Sequence, residues 1–137
     1  IVKVIDVYPP GTPDVADQRR GVRLGGYQRL VRAEVVRGRY RDSRERPAPF
    51  VPGKPTRVRV PLLDVFHTFE KGHRIMVQIQ STWFPLIDRN PQTFVPNIFE
   101  ADAADFKKAT HTVHRSGPHA TKITLPVLTD SPAAPPQ

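Results

Sequence analysis

His73-Arg74-Ile75-Met76-Val77-Gln78-Ile79-Gln80 alternates His73, Ile75, Val77 and Ile79 with Arg74, Met76, Gln78 and Gln80. A period of two is the pattern of a β-strand that turns one face to a core. Glu70-Lys71-Gly72 breaks the chain just before it, and Gly72 stands where a positive φ is needed. Before that break, Thr56, Val58, Val60 and Leu62 alternate with Arg57, Arg59 and Pro61, which predicts a second strand. Residues 27–36 predict a third, with Tyr27, Val31, Ala33 and Val35 on one side. Residues 1–8 and 121–128 read as two more, and 110–115 as a sixth. Only residues 101–109 have helical character, with Asp102 placed to cap them.

The punctuation agrees. The 16 prolines exclude long helices. Tyr8-Pro9-Pro10-Gly11-Thr12-Pro13-Asp14 is an irregular loop, Gly25-Gly26 closes a tight turn, and residues 47–55 form a stiff proline-rich connection. Short strands separated by long loops predict an all-β fold, an antiparallel β-sandwich wired as a Greek key or jelly roll. One domain over residues 1–128 is expected, followed by a frayed Pro/Ala-rich tail over 129–137.

Composition sets limits on function. A chain of 137 residues with 38% hydrophobic residues supports one modest core. The absence of cysteine removes disulfides, thiol nucleophiles and cysteine-ligated metals. No apolar run is long enough to cross a bilayer, so no membrane partner is expected, and no secretory leader is visible. Ile1-Val2-Lys3-Val4-Ile5-Asp6-Val7-Tyr8 has the character of a strand interior, so the chain is expected to be a piece of a longer polypeptide. The net charge of +8 raises a polyanion reading. The arginines behind it are scattered, and in Arg57-Val58-Arg59-Val60 they alternate as on a solvated strand face. Nucleic-acid binding would need aromatic residues interleaved with that basic face. The arginine-rich first half offers only Tyr27, Tyr40 and Phe50, which argues against it.

No catalytic constellation is visible. The serines are Ser43, Ser81, Ser116 and Ser131, and none lies in Gly-x-Ser-x-Gly. Ser116, beside Gly117 and near His114, reads as a turn serine. Of the five histidines, His111 and His114 would face opposite sides of a strand, His119 lies in a Gly-Pro loop, and none shows zinc-ligand spacing with His67 or His73. Asp102 and Asp105 sit at a helix start, where acids favour the dipole. No glycine-rich phosphate loop follows a strand. Catalytic residues, cofactor and metal are all expected to be absent.

The segment Ser81-Thr82-Trp83-Phe84-Pro85-Leu86-Ile87-Asp88-Arg89-Asn90-Pro91-Gln92-Thr93-Phe94-Val95-Pro96-Asn97 stands apart, with the single tryptophan of the chain and two of its seven phenylalanines. It is either a long loop folded back on the core with Asp88 and Arg89 paired locally, or a docking or cleft-lining surface. Trp83, Phe84, Asp88, Arg89 and Asn90 are the candidate residues for the second reading, because aromatic residues and arginine concentrate binding energy at interfaces. Sugar stacking on Trp83 is a third possibility, which makes a free-standing carbohydrate- or polyanion-binding module the alternative to a docking domain.

The run Asp64-Val65-Phe66-His67-Thr68-Phe69-Glu70-Lys71-Gly72-His73-Arg74-Ile75-Met76-Val77-Gln78-Ile79, with Ser81-Thr82-Trp83-Phe84-Pro85 and Asp88-Arg89-Asn90-Pro91, resembles the C-terminal domain of the cocaine-esterase and X-prolyl dipeptidyl-peptidase family. Its closest likeness is to α-amino-acid ester hydrolases and glutaryl-acylase-like members. Asp6-Val7-Tyr8-Pro9-Pro10-Gly11, Gly25-Gly26-Tyr27-Gln28, His114-Arg115-Ser116-Gly117-Pro118 and Ile123-Thr124-Leu125-Pro126-Val127-Leu128 carry the likeness to both ends. The resemblance implies a galactose-binding-like jelly roll attached to a serine hydrolase of esters or amides. It implies an α/β-hydrolase catalytic domain as partner, holding the whole triad, so no catalytic residue transfers to this sequence. It also implies strands before Ile1 that this chain lacks. The strand edges left open would allow a second copy to pair or exchange strands.

Overall fold

The computed structural model describes residues 1–15 and 22–128. The strand richest in Val and Ile takes the centre. Val2–Val7 (β1) pairs on one side with Gln28–Glu34 (β2) and on the other with Arg74–Ile79 (β3), giving a three-stranded sheet of order β2-β1-β3. Both pairings are antiparallel. The all-β class and the antiparallel sheet expected from the sequence are therefore borne out. On β3 the register is regular, with Val4 opposite Val77 and Asp6 opposite Ile75. On β2 it shifts between Val4 and Ile5, which face Arg32 and Leu30, so Val31 is the extra residue of a bulge. The outer edges of β2 and β3 carry no strand partner among the described residues.

The turn from β1 to β2 is tied by backbone. Tyr8 N–H donates to the Tyr27 carbonyl at 2.9 Å, Gly26 N–H to the Pro9 carbonyl at 3.2 Å, and Tyr27 N–H closes the turn onto Leu24 at 3.0 Å. Gly26 and Gly72 have φ of 73° and 90°, the conformation expected of glycine at both breaks. Gly25 is needed for space: a Cβ there would lie 2.4 Å from the Pro10 carbonyl oxygen. Gly25→Ala is expected to cost about 2 kcal/mol, because backbone must move to admit the methyl group. A thermal melt of the variant against Gly11→Ala, where a Cβ meets nothing within 4 Å, checks it.

Three predicted strands are not formed among the described residues. Residues 56–62, 110–115 and 121–128 join no ladder. A period of two specifies which side chains share a face, but a strand exists only where a neighbour accepts its backbone groups. Both sides of β1 are already occupied, and among the described residues no second sheet offers these segments a partner. Residues 110–115 and 121–128 meet through one bond, Thr121 N–H to the His114 carbonyl at 2.8 Å, around the 3-10 turn Gly117–His119. The helix predicted over 101–109 is likewise corrected to a single 3-10 turn, Ala103–Asp105. Asp102 is its N-cap residue as expected, and its own N–H donates to the Asp105 carboxylate at 2.9 Å. The turn stops at Phe106, with ψ of 110°, and Lys107 N–H is taken by the Pro91 carbonyl at 2.8 Å instead of a helical partner. The predicted tail, 129–137, lies outside the described residues.

The core is small: Val4, Ile5, Val7 and Val95 are its buried apolar residues, and Asp6 is buried among them. The β3 residues that alternation assigns to a buried face, Ile75, Val77 and Ile79, are 52%, 39% and 46% exposed. The accessible surface is 12116 Å², against roughly 7,200 Å² for a compact monomer of this mass. Among the described residues no helix is long and apolar enough to cross a membrane.

Candidate functional site

The segment that follows β3 is folded by its own residues and pinned from three directions. Ile87 N–H donates to the Trp83 carbonyl at 2.9 Å across an isolated antiparallel bridge, with a cis Phe84–Pro85 peptide inside the turn. From β1, the Lys3 ammonium sits 3.9 Å from the centroid of the Trp83 ring. This cation–π contact occupies a face of the indole that a stacked sugar would need. Phe84 and Leu86 project outward, 66% and 67% exposed.

The local Asp88–Arg89 pair, one of the two readings of this loop, does not form. Asp88 turns to Arg37 at 3.6 Å, a half-exposed ion pair of small energetic worth. Arg89 turns the other way and lies 5.1 Å from the centroid of Phe106. Asn90 accepts from Gln92 N–H at 2.9 Å, and Gln92, at φ of 63°, reaches His111 with its side chain at 2.9 Å. Of the five candidate residues, Arg89 and Asn90 thus share one cleft, whereas Trp83, Phe84 and Asp88 point to other surroundings. The cleft has a volume of about 320 Å³, with Ser81, Thr82, Lys107 and Lys108 also in its wall.

Arginines that the sequence left as scattered charges hold this region together. Arg39 donates to the Val95 carbonyl at 2.6 Å and stacks over Phe94 at 4.5 Å, fixing the far end of the loop. Arg41 donates to the carbonyls of Gly38, Ala48 and Pro49 at 3.1, 2.9 and 3.1 Å, and stacks on Phe50 at 4.6 Å. It clamps the proline-rich connection, whose prolines remove donors and leave carbonyls to be satisfied.

A second polar cluster lies on the sheet itself. Asp6 is 1% exposed at the middle of β1. Its two carboxylate oxygens are each engaged by an imidazole: His73 Nδ1 at 2.8 Å and His67 Nε2 at 2.9 Å. Tyr8 packs on His73 with ring centroids 4.4 Å apart, and Phe69 meets His67 edge-on at 4.8 Å. A carboxylate buried so deeply is tolerable only when both oxygens are paired. The two bonds tie the 64–73 segment to β1, and among the described residues no serine hydrogen-bonds this cluster. Sequence reasoning quoted Asp6, His67 and His73 but did not join them. The other histidines are separate, with His114 and His119 meeting edge-on, ring centroids 5.7 Å apart. Among the described residues, no group of three or more potential metal ligands converges.

Residues 1–124 match the family described as the X-Pro dipeptidyl-peptidase C-terminal non-catalytic domain. The chain is 31% identical over 126 residues to the cocaine esterase of Rhodococcus sp. (strain MB1 Bresler), a match that covers 92% of this chain and 19% of that protein. The crystal structure of an aminopeptidase from the marine sediment archaeon Thaumarchaeota archaeon is similar with a TM-score of 0.66 at 51% identity, covering 77% of this chain and 16% of that one. The chain therefore spans less than a fifth of the length of each relative.

Proposed function

Because this chain belongs to the family of X-Pro dipeptidyl-peptidase C-terminal non-catalytic domains, we propose that it is the accessory β-domain of a larger serine hydrolase of ester or amide bonds. It packs against the α/β-hydrolase body that carries the entire triad and holds that body's geometry. The two relatives are named an esterase and an aminopeptidase, both hydrolases of acyl bonds.

The observation that carries this reading is the exposed face of β3. Ile75, Val77 and Ile79 have the strict alternation of a buried strand, yet 39% to 52% of each is open. The remaining strands of the jelly roll and the catalytic body are the occupants that fit. The loop that carries Trp83, Phe84, Asp88, Arg89 and Asn90 follows β3 directly and is the part of this chain proposed to lie near that interface.

Two experiments test the reading. The isolated chain is expected to show no turnover of a chromogenic ester. Removing it from the full polypeptide is expected to lower the melting temperature and kcat/KM of the remainder together. Turnover by the isolated chain that a serine-directed reagent abolishes would overturn the assignment. In the full-length enzyme, Trp83→Ala and Arg89→Ala are each expected to cost about 1–2 kcal/mol of stability, as truncated interface anchors do. Unchanged melting and kinetics in both variants would remove this loop from the interface.

A further inference from the structure

We propose that the cleft between the 81–92 loop and residues 106–109 is an oxyanion site for a small multivalent ligand bearing phosphate or carboxylate groups. It does not rest on the domain-docking reading. Three exposed cations, Arg89, Lys107 and Lys108, line one open surface cleft of about 320 Å³ whose wall includes no aspartate or glutamate. Among the described residues none of the three has a carboxylate within 4.0 Å, since every ion pair present involves other groups. The one acid adjacent in sequence, Asp88, is drawn away by Arg37 at 3.6 Å.

The site is built rather than merely charged. Phe106 supports the Arg89 guanidinium at 5.1 Å, which limits its sweep and leaves its N–H edges for a ligand. The two walls are joined through the Pro91 carbonyl and Lys107 N–H at 2.8 Å, and again through Gln92 and His111 at 2.9 Å. Asn90 uses its oxygen on Gln92 N–H, so its amide NH₂ remains as a donor, and Ser81 and Thr82 add hydroxyls to the same wall. The volume lies at the lower end of the range for small-molecule sites, which suits a compact oligoanion and not a polymer. Long-range attraction from the +8 charge favours capture, and the donors decide where the anion rests.

The test is titration of the full chain with inorganic pyrophosphate and, separately, with citrate, followed by calorimetry and backbone amide NMR at low ionic strength. Saturable one-to-one binding with shifts confined to residues 81–92 and 106–109 is expected, weakening as salt rises. A preference between the two probes distinguishes a phosphate ligand from a carboxylate one. Lys107→Gln/Lys108→Gln is expected to weaken binding about tenfold or more, as loss of charge-assisted hydrogen bonds does. Arg57→Gln/Arg59→Gln, which removes equal charge from exposed residues outside the cleft, is expected to change it by less than about twofold. Arg89→Lys keeps the charge and loses the planar fork, so a several-fold loss with an unchanged melt marks the guanidinium as a ligand. Equal losses in the two double variants, or shifts that spread over the basic surface without saturating, would overturn the proposal.

Discussion

Asp6→Ala is expected to lower the unfolding free energy of this chain by about 3 kcal/mol, the upper end of the cost of leaving buried hydrogen-bonding partners unsatisfied. Two hydrogen bonds leave with the carboxylate, to His73 Nδ1 at 2.8 Å and to His67 Nε2 at 2.9 Å. Two imidazole nitrogens are then stranded, and the site, only 1% exposed at Asp6, has little water to replace the partner. The alanine also leaves a void at the middle of β1, where both neighbouring strands are anchored. His67→Ala and His73→Ala each remove one bond and are expected to cost less, about 1–2 kcal/mol. The three sites share one group, so their losses will not add, and a double-mutant cycle will show a coupling of about 1 kcal/mol or more. Denaturant melts check this directly. A loss below about 1 kcal/mol for Asp6→Ala would mean that the cluster does not hold the 64–73 segment to the sheet.

Val77→Asp is expected to separate the isolated chain from the assembled enzyme. In the isolated chain Val77 is 39% exposed, so a carboxylate there keeps much of its hydration and the cost stays below about 1 kcal/mol. In the full-length protein the same side chain is expected to be covered, and an unpaired buried charge costs several kcal/mol, about 3 or more. Ile75→Asp, on the same face of β3 two residues away, is expected to repeat the pattern. The measurement is the melting temperature of each variant in both contexts, with domain association followed by limited proteolysis. An equal effect in the two contexts would show that this face is free in the enzyme, and the docking proposal would lose its main support.

Period-two alternation located three strands almost to the residue. The expected spans 1–8, 27–36 and 73–80 became Val2–Val7, Gln28–Glu34 and Arg74–Ile79. The breaks at Gly26 and Gly72 followed from the one residue that accepts positive φ without strain. Likeness of motif, spread from Asp6 to Leu128, points to the family from sequence alone. The absence of a nucleophile motif was equally legible. These are local properties, since alternation, turn chemistry and motif spacing are fixed by neighbours along the chain.

Tertiary structure decided the rest, because closure between distant residues has no local signature. Residues 56–62 alternate as cleanly as β3, yet only β3 found the edge of β1, and a ladder needs two strands in register. The 101–109 segment had a helical pattern, but the Pro91 carbonyl claimed Lys107 N–H and ended it after one turn. Asp6 meets His67 across 61 residues and Arg39 meets Val95 across 56. Asp88 and Arg89 are adjacent in sequence, yet local pairing, one of the two readings of this loop, does not form and they point to different partners, Arg37 and Phe106. In each case the sequence supplied the groups, and the folded path of the backbone chose which of them came within bonding distance.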